Sequence, residues 1–327
     1  SPHTKYLAFD SINHSVPMFT MFSDNPTAYH WWRRRGLDHQ AVEAKKANYF
    51  ETLVREIEDP SFNRKIISGE DISNLSALEQ HRCCEFLLGL GCELRVLLVV
   101  RHPFDWVRSA NQQQSKGGAS KLRTLNPVYR KRVDGFLEVL GKEHVSVYDF
   151  DTLLNRGGFV KAFGDLLGVK LVEPPRENES MTMEALSLMH AFNSIRFRTQ
   201  GTKTKLAARE QIVRRLIAFY STRNGYTHIQ DLDARQLLAD EVKLDVEWLN
   251  THFSIDYRDV LLPSGGPRVG THRLPNAGDL DVSTFFERMQ VHYDRNKSLR
   301  DHFERLFVKE FSNAVRKTEI DGCEWNS

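Results

Sequence analysis

The chain has 327 residues, of which 40% are hydrophobic and 27% are charged, and its formal net charge is +2. These values are ordinary for a soluble globular protein, and the length suits one large domain or two modest ones. The small net charge gives no support to a nucleic-acid-binding protein, so we expect no nucleic-acid partner. The longest apolar run, 94–100, is far too short for a bilayer, so we expect no transmembrane segment.

The cysteines do not point to a metal site. They are Cys83, Cys84, Cys92 and Cys323. None belongs to a CxxC pair and no histidine lies at zinc-finger spacing from them, so we predict no metal. Free cysteines favour a reducing compartment, and no targeting segment is recognisable. We therefore predict a cytoplasmic location and leave a membrane-peripheral one open.

Strand and helix signals alternate over the first 170 residues. Apolar periodicity and stop signals predict helices over 42–57, 76–90, 104–114, 128–140 and 159–167, and strands over 65–68, 93–100 and 145–150. The strand over 93–100 is rich in leucine and valine, which suits a strand buried on both faces. The alternation predicts an α/β fold with a parallel sheet and helices on both of its faces.

The second half of the chain carries mainly helical patterns. We predict helices over 183–195, 207–220, 234–250 and 284–311, joined by segments rich in glycine and proline. We read this half as a helical extension packed on the sheet. The predicted domains are therefore an α/β core over 1–175 and a helical extension over 176–327.

The end of the strand over 93–100 carries the most informative residues. Arg101 follows the strand, Pro103 starts the next helix, and Ser109 lies eight residues after Arg101. The carboxyl end of a buried parallel strand faces the ligand crevice of an α/β fold, and a helix begins there with unpaired N–H groups. A guanidinium offers a fork of donors that suits phosphate. The pattern indicates a phosphate clamp; the alternative is that Arg101 caps a turn and Ser109 is a surface hydroxyl.

The same stretch resembles the 3′-phosphate-binding motif of sulfotransferases that use 3′-phosphoadenosine 5′-phosphosulfate (PAPS). Further sequence motifs of the bacterial carbohydrate-type members have similar counterparts here, in the same order. They are the segments 65–71, 157–163, 167–169 and 178–180. The resemblance implies a P-loop-NTPase-like parallel sheet, with Arg101 and Ser109 on the 3′-phosphate. It also implies PAPS as co-substrate, 3′-phosphoadenosine 5′-phosphate as product, and transfer of the sulfuryl group to a hydroxyl of a carbohydrate, glycolipid or other small acceptor.

The resemblance also implies a catalytic base, which in this family is a histidine or a glutamate. His14 and Glu70 match by position. A neutral histidine suits base chemistry near neutral pH, whereas a glutamate needs burial to raise its pKa or acts through geometry alone. Either residue has a structural alternative: His14 as a loop histidine with satisfied hydrogen bonds, and Glu70 as an N-cap partner of the following helix.

One expected part of the family is not recognisable in residues 1–327. The first unit of the family is a strand, a P-loop-like turn with lysine and threonine or serine, and a helix. Neither Gly-x-x-x-x-Gly-Lys-Ser/Thr nor a relaxed Lys-x-Gly-Thr follows a strand here. We expect that unit to lie upstream of Ser1. The alternative is a non-catalytic nucleotide-binding or scaffolding protein derived from the same fold.

The acceptor site is less well marked than the donor site. Trp31 and Trp32, followed by three arginines, could line an acceptor cleft, because aromatic faces stack on sugars and arginines hold anions. The alternative is a helix start packed on the core. The acceptor, the position sulfated and the oligomeric state do not follow from the sequence.

Overall fold

The structure is a computed structural model that describes residues 3–172, 180–195, 202–221, 227–262, 270 and 272–323. It divides into two compact units. The first unit comprises Ser1–His102, Val128–Pro174 and Glu241–Arg258, and the second comprises Pro103–Pro127, Pro175–Asp240 and Asp259–Ser327. Both units are discontinuous along the chain, unlike the contiguous domains predicted over 1–175 and 176–327.

All four strands of the described ranges belong to the first unit. They are β1 (Thr4–Tyr6), β2 (Arg64–Ile66), β3 (Val96–Val100) and β4 (Val145–Asp149). β1 pairs with β2 and β3 pairs with β4, and both pairs are parallel. The α/β class and the parallel pairing are confirmed. The strands form two separate two-stranded sheets, and β1, which has no apolar run, was not predicted.

Thirteen α-helices lie in the described ranges, most of them close to their predicted positions. They are α1 (Ser15–Phe22), α2 (His30–Arg35), α3 (His39–Glu58), α4 (Ala77–Gly89), α5 (Pro103–Lys116), α6 (Asp134–Leu140), α7 (Phe150–Leu154), α8 (Phe159–Leu167), α9 (Met183–Asn193), α10 (Thr202–Ser221), α11 (Val242–Phe253), α12 (Ser283–Arg288) and α13 (Leu299–Cys323). Local capping explains several helix starts. At α4, the Ser76 side chain accepts from the N–H of Glu79, and the Glu79 carboxylate accepts from the N–H of Ser76.

In the described ranges, two apolar clusters contribute to the core of the first unit. One joins the β1–β2 region to α1, α3 and α4 and includes Trp32, Val42 and Leu53. The other lies under β3 and β4 and includes Phe136 of α6. The prediction that strand 93–100 is buried on both faces is wrong: only Val100 is buried, and Leu97 in the middle of β3 is 36% exposed.

The second unit is built from α5, α9, α10, α12 and α13. Its core is rich in phenylalanine, with Phe192, Phe285, Phe286 and Phe303 at most 1% exposed. The single helix predicted over 284–311 is instead two helices, α12 and α13. The chain turns between them at Gln290, whose φ of +55° a regular helix cannot contain.

The helix predicted over 234–250 is also divided. A short 3₁₀ turn over Arg235–Leu237 is followed by α11, and α11 belongs to the first unit. Residues 178 and 179 of the family resemblance lie outside the described residues. No helix in the described part of the chain is long and apolar enough to cross a membrane.

Candidate functional site

Arg101 stands at the carboxyl end of β3, where the sequence predicted it. Val100 of β3 pairs with Asp149 of β4, so Arg101 and Phe150 are the next residues of two neighbouring parallel strands. The Arg101 side chain is exposed, and its Cζ lies 4.5 Å from the centroid of the Phe150 ring. Among the described residues its guanidinium makes no ion pair and no hydrogen bond. The N–H groups of Arg101 are therefore available to an anionic ligand.

The backbone at Arg101 is held by Tyr129. The buried Tyr129 hydroxyl donates a hydrogen bond to the carbonyl of Arg101. The N–H of Tyr129 in turn donates to the Asp245 carboxylate of α11 over 3.0 Å. These two bonds fix the strand end, so that only the Arg101 side chain must order when it binds a ligand.

A second group of residues holds the end of β4. The Tyr257 hydroxyl donates to the carboxylate of Asp149, which also accepts from the N–H of Thr152 over 2.8 Å and thereby caps α7. Burial, reinforced by the neighbouring carboxylate, raises the pKa of Tyr257. Burial opposes ionisation of Asp149, but the hydrogen bonds from Tyr257 and Thr152 outweigh it and lower the pKa of Asp149. The His102 ring packs edge-on against Tyr257, with ring centroids 5.0 Å apart.

Ser109 lies in the second turn of α5, in the second unit. It is half-buried, and its hydroxyl makes no hydrogen bond with the described residues. Arg101 belongs to the first unit. The joint binding of one phosphate by Arg101 and Ser109 stays a prediction.

His14 is fully buried, with 0% exposure. Its Nε2 donates to the carbonyl of Leu7 over 2.9 Å, and its Nδ1 accepts from the N–H of Ser68 over 3.0 Å. Burial lowers the pKa of His14, opposed in part by the bond to Leu7. A neutral imidazole with both nitrogens engaged has no lone pair left for an acceptor proton. This geometry favours the structural alternative, in which His14 ties the segment after β1 to the segment after β2.

Gly69 packs closely against the backbone of Ser15. A Cβ at Gly69 would lie 2.3 Å from the backbone nitrogen of Ser15 and 2.8 Å from its Oγ. The close approach lets the Ser15 hydroxyl accept from the N–H of Asp71 over 2.9 Å. A glycine is therefore required between Ser68 and Glu70, which positions Glu70 at the start of a 3₁₀ turn.

Glu70 is exposed, and its carboxylate accepts no hydrogen bond from the described residues. The N-cap alternative is not found, because Ser76 and Glu79 cap the following helix. Arg132 lies nearby: its Nη1 donates to Ser73 Oγ and Asn74 Oδ1, each over 2.9 Å. Burial lowers the pKa of Arg132, and the Glu70 carboxylate is the first of the charges that oppose this shift. Glu70 is thus an open carboxylate whose charge acts on the half-buried guanidinium of Arg132.

The two tryptophans proposed for an acceptor cleft differ. Trp32 is buried in the core, where its indole N–H donates to Thr20 Oγ1 over 2.9 Å. Trp31 is half-buried, and the guanidinium of Arg35 lies 3.5 Å from a ring centroid of its indole. Trp32 therefore belongs to the packed alternative, and Trp31 offers at most one ring face.

Two residues of the Arg101 surroundings were not predicted from the sequence. Phe150 could have been found, because it is the last residue of the strand predicted over 145–150, which neighbours the strand that ends before Arg101. Tyr129 could not, because its hydroxyl reaches a backbone carbonyl 28 residues away, which no local pattern shows.

The described residues contain no group of three or more histidine, cysteine, aspartate or glutamate side chains that could hold a metal ion. Comparison of the chain with protein-family models, with curated proteins and with solved structures finds no match. The residues themselves are therefore the basis of any functional proposal.

Proposed function

We propose that this chain is part of a sulfotransferase that moves the sulfuryl group of PAPS to a hydroxyl of a carbohydrate, glycolipid or other small acceptor. The proposal rests on the family resemblance of the sequence and on the geometry at Arg101. In it, Arg101 binds the 3′-phosphate of the donor, which distinguishes PAPS from ordinary adenine nucleotides.

The observation that carries the proposal is that Arg101 is exposed and has no polar partner among the described residues. An arginine that serves only packing would be buried against a carbonyl or paired with a carboxylate. Arg108 is such a residue: it is 3% exposed and donates to the Leu232 carbonyl and the Asp105 carboxylate. Arg101 is instead exposed, without a described polar partner, at the end of a parallel strand whose backbone is fixed. This is the arrangement that suits a phosphate ligand.

The proposed chemistry is an in-line displacement at sulfur. The acceptor hydroxyl oxygen forms a bond to sulfur as the bond from sulfur to the phosphate oxygen of PAPS breaks. The acceptor proton passes to the Glu70 carboxylate, and 3′-phosphoadenosine 5′-phosphate leaves with the bonding electron pair. Positioning and cationic stabilisation of the leaving phosphate supply most of the rate enhancement. His14 takes no proton in this scheme, because both of its nitrogens are occupied.

Together with this function we propose a more specific fold, a P-loop-NTPase-like parallel sheet. In the described ranges, β2 pairs only with β1 and β3 pairs only with β4. Burial raises the pKa of Cys92, just before β3, and the charge of Lys65 in β2 opposes that rise. Leu94 packs against the apolar clusters of both sheets. A further parallel strand between β2 and β3, carrying the lysine loop that the resemblance implies, would join the two pairs into one sheet.

Calorimetric titration with 3′-phosphoadenosine 5′-phosphate tests the proposal, with adenosine 5′-phosphate as the comparison ligand. We expect binding that depends on the 3′-phosphate and falls about 10- to 100-fold in the Arg101→Ala variant, since a hydrogen-bonded charge pair contributes about 1.5–3 kcal/mol. Arg95→Ala is the matched control, because Arg95 is exposed at the opposite end of β3 and pairs with Glu93. Equal affinity for the two nucleotides would overturn the assignment.

A non-catalytic nucleotide-binding protein is the second candidate. The observation that favours it is that His14, one of the two predicted bases, has both ring nitrogens engaged within the fold. Both candidates predict selective binding of the 3′-phosphate. They differ in turnover, because only the sulfotransferase releases 3′-phosphoadenosine 5′-phosphate from PAPS when an acceptor is present.

A further inference from the structure

The guanidinium of Arg101 lies over the ring of Phe150. The 4.5 Å separation between Arg101 Cζ and the ring centroid lies well within the range of a cation–π contact. The contact follows from the strand register, because β3 and β4 end together and their next residues are Arg101 and Phe150. The exposed Arg101 side chain therefore lies over a ring that the sheet itself places.

The Phe150 ring is in turn fixed by two further rings. Phe150 stacks on Phe159 with centroids 5.0 Å apart, and Phe159 stacks on Phe163 with centroids 5.7 Å apart and planes within 9°. Phe150 begins α7, whose N-terminus is capped by Asp149. The three phenylalanines form a supported platform, which we call the ring stack, and a platform of this kind can restrict the side chain that lies on it.

A guanidinium on a ring keeps its hydrogen-bonding capacity. Its N–H groups lie in the guanidinium plane and point outward from its edge, so a contact on one flat face leaves the edge open for two oxygens of a phosphate. A free arginine side chain loses about 2 kcal/mol of rotamer entropy when it is ordered. A ring that orders the side chain beforehand reduces that loss on binding.

We propose that Phe150 is a positioning residue that holds the Arg101 guanidinium ready for the 3′-phosphate and so sets the selectivity between nucleotides with and without that group. This inference rests on the proposed function. Phe150 acts through Arg101 and need not touch the ligand. The affinity for adenosine 5′-phosphate, which has no 3′-phosphate for Arg101 to bind, is then independent of Phe150.

The test is the ratio of the affinities for 3′-phosphoadenosine 5′-phosphate and adenosine 5′-phosphate, measured by calorimetry on the full chain. We expect Phe150→Leu to lower the ratio about threefold to fivefold, as the loss of an exposed cation–π contact implies. Phe150→Tyr should restore the ratio, because its ring is retained. Phe62→Leu is the matched control: it removes a ring that lies under the Lys5 ammonium in the β1–β2 region and not under Arg101, and it should leave the ratio unchanged.

The Arg101→Ala background separates positioning from general packing. In that background Phe150→Leu should have no further effect on the ratio, and an effect that persists would overturn the inference. An unchanged ratio in Phe150→Leu, or an equal loss for both nucleotides, would also overturn it while leaving the proposed function intact. If the unsubstituted chain does not prefer the 3′-phosphate, the proposed function fails, and the inference fails with it.

Discussion

The segments that follow β1 and β3 show what separates a structural polar residue from an available one. After β1, His14 is sealed from solvent, with Leu7 and Ser68 satisfying both ring nitrogens. After β3, Arg101 is exposed, and its guanidinium lies over the Phe150 ring without an ion pair or hydrogen bond to the described residues. Both residues stood out in the sequence as polar groups at sites typical of ligand binding. Their hydrogen-bond partners, and not their residue types, decide which of them can act on a ligand.

The largest expected effect is on the rate of sulfuryl transfer, and it concerns Glu70, whose carboxylate is exposed. If Glu70 is the base, Glu70→Gln should lower PAPS-dependent sulfuryl transfer by about 10²- to 10⁴-fold, which is the usual contribution of general-base catalysis. The measurement is release of 3′-phosphoadenosine 5′-phosphate with a panel of carbohydrate and glycolipid acceptors. The free energy of unfolding of the Glu70→Gln variant should differ from that of the unsubstituted protein by less than about 0.5 kcal/mol, because no described residue donates a hydrogen bond to this exposed carboxylate.

Glu85→Gln is the control for that experiment, since Glu85 is exposed on α4. Retained transfer in Glu70→Gln, with full loss in a variant of His14 that still folds, would reverse the roles assigned to the two residues.

The next effect is on the free energy of unfolding, and it concerns the buried His14. His14→Ala should lower the free energy of unfolding by about 3 kcal/mol or more, because it leaves the Leu7 carbonyl and the Ser68 N–H without partners in a buried place. Urea denaturation measures the loss. The exposed His292 provides the comparison, and His292→Ala should change stability by less than about 0.5 kcal/mol. A loss as small as that of His292→Ala would show that the His14 contacts do not stabilise the fold.

The smallest effect is a pH dependence of stability. Burial lowers the pKa of His14 in the folded protein below the ordinary value of 6.5. Below pH 6.5 the unfolded chain then binds a proton that the folded protein does not, so stability is complete above that pH and falls as the pH decreases toward the folded pKa. His190, whose pKa burial also lowers, adds a contribution of the same sign.

Urea denaturation at pH 7, 6 and 5 measures this dependence. The His14→Gln variant should lose less stability over that range than the unsubstituted protein, because its side chain does not titrate. Equal losses in the two proteins would show that His14 contributes nothing to the pH dependence.

Local signals predicted the elements that depend on local chemistry. The apolar run of β3, the position of α4 and the placement of Arg101 at a strand end were all predicted from the sequence. β1 was not, because Thr4–Tyr6 has no apolar run and becomes a strand only by pairing with β2. The break between α12 and α13 was missed although the polar run over 294–298 interrupts the apolar periodicity there.

The candidate site was predictable to the same extent. Arg101 was identified because strand ends in α/β folds face ligands, and Phe150 was within reach of the same reasoning. The sealing of His14 was not predictable, since it depends on the N–H of Ser68, 54 residues away. Residue type and position could propose His14 as a base, but only the packed structure shows that its nitrogens are already used.

The pairing of β1 with β2 also bears on how the chain folds. Thr4 pairs with Arg64, so the strands can meet only after a segment of sixty residues has closed. Closing so long a loop costs entropy before any strand hydrogen bond forms, whereas the helix α3 inside that segment needs only neighbouring residues. We therefore expect α3 to form early and the β1–β2 pair late, so that the seal around His14 is among the last features of the first unit to be completed.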